Sequence, residues 1–506
     1  MNPAGPALVV TLPARSAAVA REEALRAQEA GADYAEVRFD RWPPAERDRA
    51  PTLFPSPLPL VATLRSQAEG GEGPDDPDER RSILSGLGRL PFAYLDLETA
   101  RDRAPRELLQ ATGTPPLGRT IRSTHLPAGS SLDLILRTLQ ESVEPNEVRK
   151  VVVPLPTGVA VTELLPTLAS SPMAPGHLLL TTGGSGPLLR ALGKRLRLPL
   201  VFSAPALDTA SPGLLPVEEA QLPVDQLRRY FDAPGEPPLF AVLGHPVRHS
   251  LSPRIHARWM AATGQVGLYF PLEIVSEEEL RATMARLGPL GFRGLNVTHP
   301  WKAAALSLAL RPSSTAAECG AANCLSFAAD GIVADNTDVA AARRRLSELR
   351  SQEKWAGDRL TVLGGGGAAR ATLAAARSLG ARATVVARRR HVAEEAARTF
   401  GAEVGDPKHP VPALLVVQAT SAGHDVHHPL ELPLPQLVQR GGYVLDWVYG
   451  GTDASVARDA HRAGAEYEGG ERLLVYQAAA SFEAWWGQAP PTPAVDAVLR
   501  EVGCAA

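Results

Sequence analysis

The chain has 506 residues, 44 % apolar and 21 % charged, with a formal net charge of −3. At roughly 150 residues per domain that length predicts two to four domains, and the composition excludes a largely disordered chain. The charge excludes a basic field for nucleic acid or an acidic membrane, and no apolar run approaches the ~20 residues that span a bilayer. The N-terminus lacks the basic and apolar segments of a secretion signal, so the expected location is the cytoplasm.

From the start, β-rich runs alternate with amphipathic stretches. Leu8–Leu12, Tyr34–Phe39, Leu60–Leu64, Ala93–Leu97, Arg119–Ser123, Lys150–Leu155, Leu178–Thr181 and Leu200–Phe202 read as strands, with helices such as Ser16–Ala30 and Ser131–Ser142 between them. About eight β/α periods in this length predict a (β/α)8 barrel over 1–232. The alternative, an open doubly wound sheet, needs a Gly-rich phosphate turn near its start, and none is there.

Polar residues collect on these strands or just after them: Glu36, Arg38, Arg65, Glu69, Glu98, His125, Lys150 and Arg190. Strand C-terminal ends and their loops form the active face of a barrel. Lys stands only at 150, 194, 302, 354 and 408, every other basic residue being Arg. A merely solvated positive charge is thus written as Arg, and a Lys in an apolar run asks for chemistry that only an amine performs. Burial of Lys150 disfavours its ammonium, and a neutral amine can attack a ketone to form a Schiff base. His125 could then move protons, Glu69 orient it, and Arg190, Arg65, Glu36 and Arg38 grip a carboxylate and hydroxyls. From these residues alone, an outward-pointing Lys150 and a structural His125 read equally well.

A helical stretch, Val217 to Tyr230, leads into Ala233-Pro-Gly-Glu-Pro-Pro238, read as a linker over 233–238. A second α/β pattern then runs over 239–338, and a fresh unit over 339–469. Helical patterns at Leu473–Trp486 and Pro493–Val502 close the chain, 470–506 completing the 239–338 domain. Gly364-Gly-Gly-Gly-Ala-Ala369 follows the apolar strand Leu360–Leu363 and opens an Ala-rich helix. Gly364 suits the tight turn, Gly366 the approach of a pyrophosphate and Ala369 close helix packing. Three arginines, Arg388 to Arg390, end the next strand where an NAD site would carry an acid, which favours the 2′-phosphate of NADP. A solvated basic turn is the plainer alternative. Upstream, Ser250 and Ser252, then Asn296, Thr298 and Lys302, and later Asp338 supply hydroxyls, amides, one amine and one carboxylate, a set suited to a small polyol. The three cysteines, Cys319, Cys324 and Cys504, fit neither a disulfide framework nor a zinc site; all three are expected to be small buried hydrophobes, and no metal is expected.

These segments carry a resemblance. Residues 239–506 resemble shikimate dehydrogenase in motif order, through the Ser-x-Ser-Pro turn at 250–253, Asn296-Val-Thr-His-Pro-Trp-Lys302, Ala322-Asn323, Asp335-Asn-Thr-Asp338, the Gly-rich loop, Ala419-Thr-Ser421, Asp446-Trp-Val-Tyr449 and Leu474-Val-Tyr-Gln-Ala-Ala479. The resemblance implies substrate contacts from Ser250, Ser252, Thr298, Asn323, Asp338 and Gln477, with Lys302 and Asp338 as the catalytic pair. It implies NADP held by Gly364, Gly366, Gly367, Ala368, Arg388, Thr420, Tyr449 and Gly470, to which charge adds Arg389. His245, Val339, Ala387 and Arg472 depart from the family pattern.

The first half resembles type I 3-dehydroquinate dehydratase through Ala32-Asp-Tyr-Ala-Glu-Val-Arg-Phe-Asp40, Ala62-Thr-Leu-Arg-Ser-Gln-Ala-Glu-Gly-Gly71, Tyr94-Leu-Asp-Leu-Glu98, Ser123-Thr-His125, Val148-Arg-Lys150 and Gly186-Pro-Leu-Leu-Arg190. It implies Lys150 as the Schiff-base amine, His125 as general acid/base, Glu69 as its partner and Arg190 as carboxylate clamp, with Glu36, Arg38 and Arg65 as further substrate contacts. The family's late lid is written here Ala210-Ser-Pro-Gly-Leu214, without its Ser and Gln. The combined expectation is a bifunctional enzyme that dehydrates 3-dehydroquinate and reduces the product to shikimate with NADPH. The alternative is a shikimate or quinate dehydrogenase carrying a degenerate barrel as a binding module.

Overall fold

A computed structural model describes residues 5–103, 107, 119–144, 146–206, 221–247, 249–355, 359–420, 422, 430–450 and 455–504. The lid segment Ala210–Leu214 lies outside them. Two compact units form: Met1–Ala241 with His245–Leu251 and Val266–Gly291, and Val242–Gly244 with Ser252–Gln265 and Phe292–Ala506.

In the first unit the short apolar runs become eight parallel strands: β1 (Ala7–Leu12), β2 (Tyr34–Arg38), β3 (Leu60–Thr63), β4 (Tyr94–Glu98), β5 (Arg119–His125), β6 (Glu147–Pro154), β7 (His177–Thr182) and β8 (Leu200–Ser203). Each pairs with its neighbour in sequence up to β7, and β8 pairs back onto β1, bringing the sheet nearly to closure as a barrel. β6 places Val151, Val153 and Leu155 in a core with Ile135, Leu139, Ala160 and Leu164 from the surrounding helices. Because successive side chains alternate faces, this turns Lys150 toward the barrel interior. The unit also includes Val266–Gly291, where Glu279 accepts the Gly158 N–H at 2.6 Å.

Of the helix expected over Val217 to Tyr230, residues 217–220 lie outside the described residues; Gln221 to Pro223 are not helical, and the helix runs from Val224 to Asp232. Ala204 and Pro223 form an isolated bridge just before it, and Pro223 serves as the N-cap. A proline has no N–H for a helical ladder and tends to open a helix rather than lie inside it.

The following strands are β9 (Leu239–Gly244), β10 (Leu268–Glu273), β11 (Phe292–Val297), β12 (Arg311–Pro312), β13 (Cys324–Ala328) and β14 (Gly331–Asp335), in the order β10-β9-β11-β13-β14-β12. β13 and β14 are an antiparallel pair that registers Cys324 with Asp335 and so delivers the chain to the helix Thr337–Ser351. The last sheet is wholly parallel: β15 (Arg359–Leu363), β16 (Arg382–Val386), β17 (Glu403–Val404), β18 (Ala413–Gln418), β19 (Val438–Asp446) and β20 (Glu466–Glu468), in the order β17-β16-β15-β18-β19-β20. The order reverses at β15, the switch point where such sheets open a crevice for a ligand.

Cys319 and Cys324 are buried, and burial pushes both thiols up to about 12. Cys504 is only partly buried, against expectation, because it lies beyond the last helix, Thr492–Glu501. Among the described residues no helix is long and apolar enough to cross a membrane, and no group of three His, Cys, Asp or Glu residues stands ready for a metal.

Two candidate active sites

In the barrel, ladder register sets Glu98 opposite Ser123 and Ser123 opposite Lys150. Lys150 is 1 % exposed, and its Nζ lies 2.8 Å from Asp96 Oδ2 and 4.3 Å from the centre of the Phe202 ring. His125 ends β5. Its Nδ1 stands 2.5 Å from Glu69 Oε2, and its backbone N–H donates to the same oxygen at 3.3 Å. Its Nε2 is buried with no hydrogen-bond partner among the described residues.

Glu69 reaches this position through a single turn, Gln67–Glu69. The Ser66 hydroxyl accepts the Glu69 N–H, and Gly70 ends the turn at φ +79°, a left-handed conformation that glycine adopts without a Cβ clash. Burial, then the like charges of Glu98 and Asp96, pushes the Glu69 carboxyl up to about 8. Burial, then the cations Arg65, Lys150 and Arg38, holds the His125 imidazole well below its ordinary value. Near neutral pH the pair is thus a neutral carboxyl hydrogen-bonded to a neutral imidazole rather than two opposite charges.

Glu36, Arg38 and Arg190 are each held by neighbouring groups of the barrel. Glu36 accepts hydroxyl protons from Thr11 and Thr63, each at 2.7 Å. Arg38 donates twice to Asp40, at 2.9 and 2.8 Å. Arg190, on the helix Gly186–Ala191, donates to the carbonyls of Phe202, Thr181 and Gly186 at 2.9, 2.8 and 3.0 Å. Arg65 is partly buried beside this cluster and contributes to the field on His125.

Sequence reasoning missed Asp96, Arg80 and Gln221. Arg80 is fully buried and holds Asp102 through Nε and Nη2 at 2.8 and 2.7 Å, with Glu98 3.5 Å away. Gln221 donates to Thr11 at 3.0 Å, extending the Glu36 network. The signal for Asp96 was present in Tyr94-Leu-Asp-Leu-Glu98, where alternate residues share one face of β4.

In the second unit, Lys302 opens the helix Lys302–Ser307 and Asp338 lies in the first turn of Thr337–Ser351. Lys302 Nζ is 2.6 Å from Asp338 Oδ2, and the Asn323 amide donates to Asp338 Oδ1 at 2.7 Å. Asn323 Oδ1 in turn accepts the Thr337 N–H at 2.7 Å, and its amide lies 3.4 Å from Gln477 Oε1. Asn296 and Ser481, 2.8 Å apart and buried, support this group from behind. Thr298 follows β11 and is half-buried, its N–H bonded to Leu243 O at 2.9 Å. Ser252 is buried at the start of Ser252–Thr263, whereas Ser250 falls in the first unit.

The Gly-rich loop fits a dinucleotide. Gly364 sits at φ +108° against the Ala419 carbonyl, which a Cβ would meet at 3.0 Å. Around Gly366 the space is open, and the helix Gly367–Ser378 begins there with its free N–H groups, a natural seat for phosphate. Gly367 and Ala368 form its first turn, and a Cβ on Gly367 would come within 3.7 Å of Lys302 Cδ, so loop and lysine are neighbours. Gly470 caps Glu471–Trp486, its N–H bonded to Val448 O at 2.8 Å, beside half-exposed Tyr449. Thr420 accepts the Ala422 N–H at 3.2 Å. Arg388 and Arg389 are exposed beyond β16, with Arg388 paired to Glu431 at 2.9 Å, a partner sequence reasoning did not foresee. Arg472 binds Glu468 at 3.3 Å.

Comparison with known proteins gives matches along most of the chain. Residues 8–228 match the type I 3-dehydroquinase family, 242–325 the shikimate dehydrogenase substrate binding domain and 470–500 the shikimate 5′-dehydrogenase C-terminal domain. A shikimate dehydrogenase (NADP(+)) of Anaeromyxobacter sp. (strain Fw109-5) is 38 % identical over 283 residues, 53 % of this chain and 98 % of that protein. One from Jannaschia sp. (strain CCS1) is 40 % identical over 274 residues, 52 % of this chain and 96 % of its own. Among solved structures, dehydroquinate dehydratase and shikimate dehydrogenase from S. pombe covers 99 % of this chain and 98 % of its own, at 22 % identity and a TM-score of 0.44. Shikimate 5-dehydrogenase from Thermus thermophilus, in complex with NADP(H) and shikimate, covers 52 % of this chain and 99 % of its own, at 32 % identity and a TM-score of 0.46.

Proposed function

The chain belongs to the shikimate dehydrogenase family through its second half, and we propose that it works as a bifunctional enzyme whose barrel supplies the substrate of that half. The barrel, assigned to 1–232, dehydrates 3-dehydroquinate; residues 239–506 reduce the resulting 3-dehydroshikimate to shikimate. Supporting this division, each half holds one of the chain's five Lys residues against a buried Asp, Lys150 with Asp96 and Lys302 with Asp338.

In the barrel, Lys150 adds to the substrate ketone and loses water to leave an iminium. That cation acidifies the adjacent C–H, whose proton His125 Nε2 accepts and later returns to the departing hydroxyl. Glu69 holds the ring by its other nitrogen. Arg190, Arg65, Arg38 and Glu36 are assigned to the substrate's carboxylate and hydroxyls.

In the second half, the residues that would hold NADP are the loop Gly364–Gly367, Ala368, Thr420, Tyr449, Gly470 and the arginines 388 and 389. When bound, NADPH supplies the hydride for the ring carbon. Lys302 and Asp338 hold the carbonyl oxygen and its proton, while Asn323 and Gln477 orient the ring hydroxyls with Ser252 and Thr298.

The test is one coupled assay: the purified chain with 3-dehydroquinate and NADPH, following NADPH absorbance and product mass. Oxidation with shikimate formed is the expected result. Oxidation with added 3-dehydroshikimate but none with 3-dehydroquinate would instead make the barrel a binding module.

A further inference from the structure

We infer that Asp96 is a further catalytic residue of the barrel, the counter-ion that takes a proton from the Lys150 nitrogen and then anchors the iminium formed there. The inference rests on the Schiff-base reading above. Nζ and Oδ2 are 2.8 Å apart, and the two side chains are 1 % and 3 % exposed. Other buried carboxylates of the barrel brace the fold: Asp102 accepts from Arg80 twice and from the Glu98 N–H at 2.8 Å, and Asp40 accepts from Arg38 twice and from the Glu72 N–H at 3.2 Å. Asp96 has Lys150 as its only hydrogen-bond or ion-pair partner among the described residues. A buried ion pair with so few supporting bonds contributes little to stability, because desolvation of the two charges offsets their attraction. Its position at the reacting nitrogen gives it a chemical use instead.

The step balances without any other reagent. One proton passes from the Lys150 ammonium to Asp96 Oδ2, and the freed lone pair forms the N–C bond while the carbonyl π pair moves to oxygen. A second N–H proton goes to that oxygen, giving the carbinolamine. Asp96 then returns its proton, the C–O bond breaks, and water leaves. The remaining N–H⁺ of the iminium faces the Asp96 carboxylate. The nitrogen is cationic before and after, so a carboxylate fixed beside it matches both states and needs no rearrangement between them.

The experiment compares wild type, Asp96→Asn, Asp96→Glu and Lys150→Ala in the full chain. Borohydride is added with 3-dehydroshikimate, the adduct is counted by intact mass, and dehydratase kcat and KM are measured across pH. Far-UV circular dichroism and urea unfolding of each variant report folding. Asp96→Asn should lose about 10²- to 10⁴-fold in kcat and in adduct formation, with the rate now climbing with pH as hydroxide replaces the missing base. Asp96→Glu should recover much of it. A folded Asp96→Asn, or a folded Asp96→Glu if Asn does not fold, overturns the inference if the Asn variant matches wild type in kcat and pH profile or the Glu variant is as impaired as a chain without the charge. If wild type gives no adduct, or Lys150→Ala still gives one, the Schiff-base reading itself fails.

Discussion

The Lys302–Asp338 contact makes a quantitative prediction about non-additivity. Lys302 Nζ and Asp338 Oδ2 are 2.6 Å apart, and the second Asp338 oxygen is held by Asn323 at 2.7 Å. Removing the amine as Lys302→Ala leaves Asp338 in place but with no proton to share. Asp338→Asn keeps the shape and removes the charge. Each change alone should lower shikimate-dependent NADP⁺ reduction by about 10²- to 10⁴-fold, the usual range for a proton-transfer group. Were the residues independent, the double variant would lose the product, about 10⁴- to 10⁸-fold, because each tenfold is about 1.4 kcal/mol on the barrier. Groups that act as one unit do not multiply. The double variant should therefore lose little more than the worse single one. The assay is kcat and kcat/KM in all four chains, with urea unfolding of each chain as the folding control. Multiplying losses, or single losses below about tenfold, would refute the pair as one catalytic unit.

Titration of the Glu69–His125 pair predicts the dehydratase pH profile. Below about 8 the extra proton on the pair leaves Nε2 able only to donate; above it the carboxylate accepts a hydrogen bond from Nδ1–H and Nε2 gains a free lone pair. Dehydratase kcat/KM should rise toward that pH, and Glu69→Gln should move the limb lower; a limb in the same place would refute the assignment. Arg80→Met strands Asp102 and Glu98 as buried charges and should cost about 3–5 kcal/mol in urea unfolding, a loss under about 1 kcal/mol arguing against the brace. Glu431→Gln frees Arg388 and should lower KM for NADP⁺ a few-fold while leaving NAD⁺ unchanged, the effect fading at high salt. An equal change for both nucleotides would show that Arg388 does not read the phosphate.

How far the sequence could be read depended on the range of the interaction. β15, its glycines and the helix behind them lie within one contiguous run, and the turn geometry follows from local chemistry alone. The barrel strands were legible by the same token, though β6 begins at Glu147, three residues before the lysine that marked it. Pairings across the sheet were not. Asp96 meets Lys150 from two strands away, and no periodicity announces that β4 and β6 converge on one point. Glu69 and His125, 56 residues apart, were paired as a chemical option that no local pattern fixes, and Glu431 meets Arg388 from a loop that local pattern does not fix either.

The two Lys–Asp pairs show how one motif yields two chemistries. Lys150 is 1 % exposed and pressed against Phe202, so the substrate ketone must come to a nitrogen that water hardly reaches. That enclosed position suits covalent attack, because the nitrogen and the ketone carbon are held together without intervening water. Lys302 is 25 % exposed at the start of a short helix beside the Gly-rich loop, and its Asp is tied to a second residue, Asn323. The tether to Asn323 fixes how the Asp338 carboxylate meets that nitrogen. The buried pair is suited to covalent attack and the partly buried pair to hydrogen bonding an oxygen as it gains charge. Exchanging their surroundings, not their residue types, would exchange what they can do.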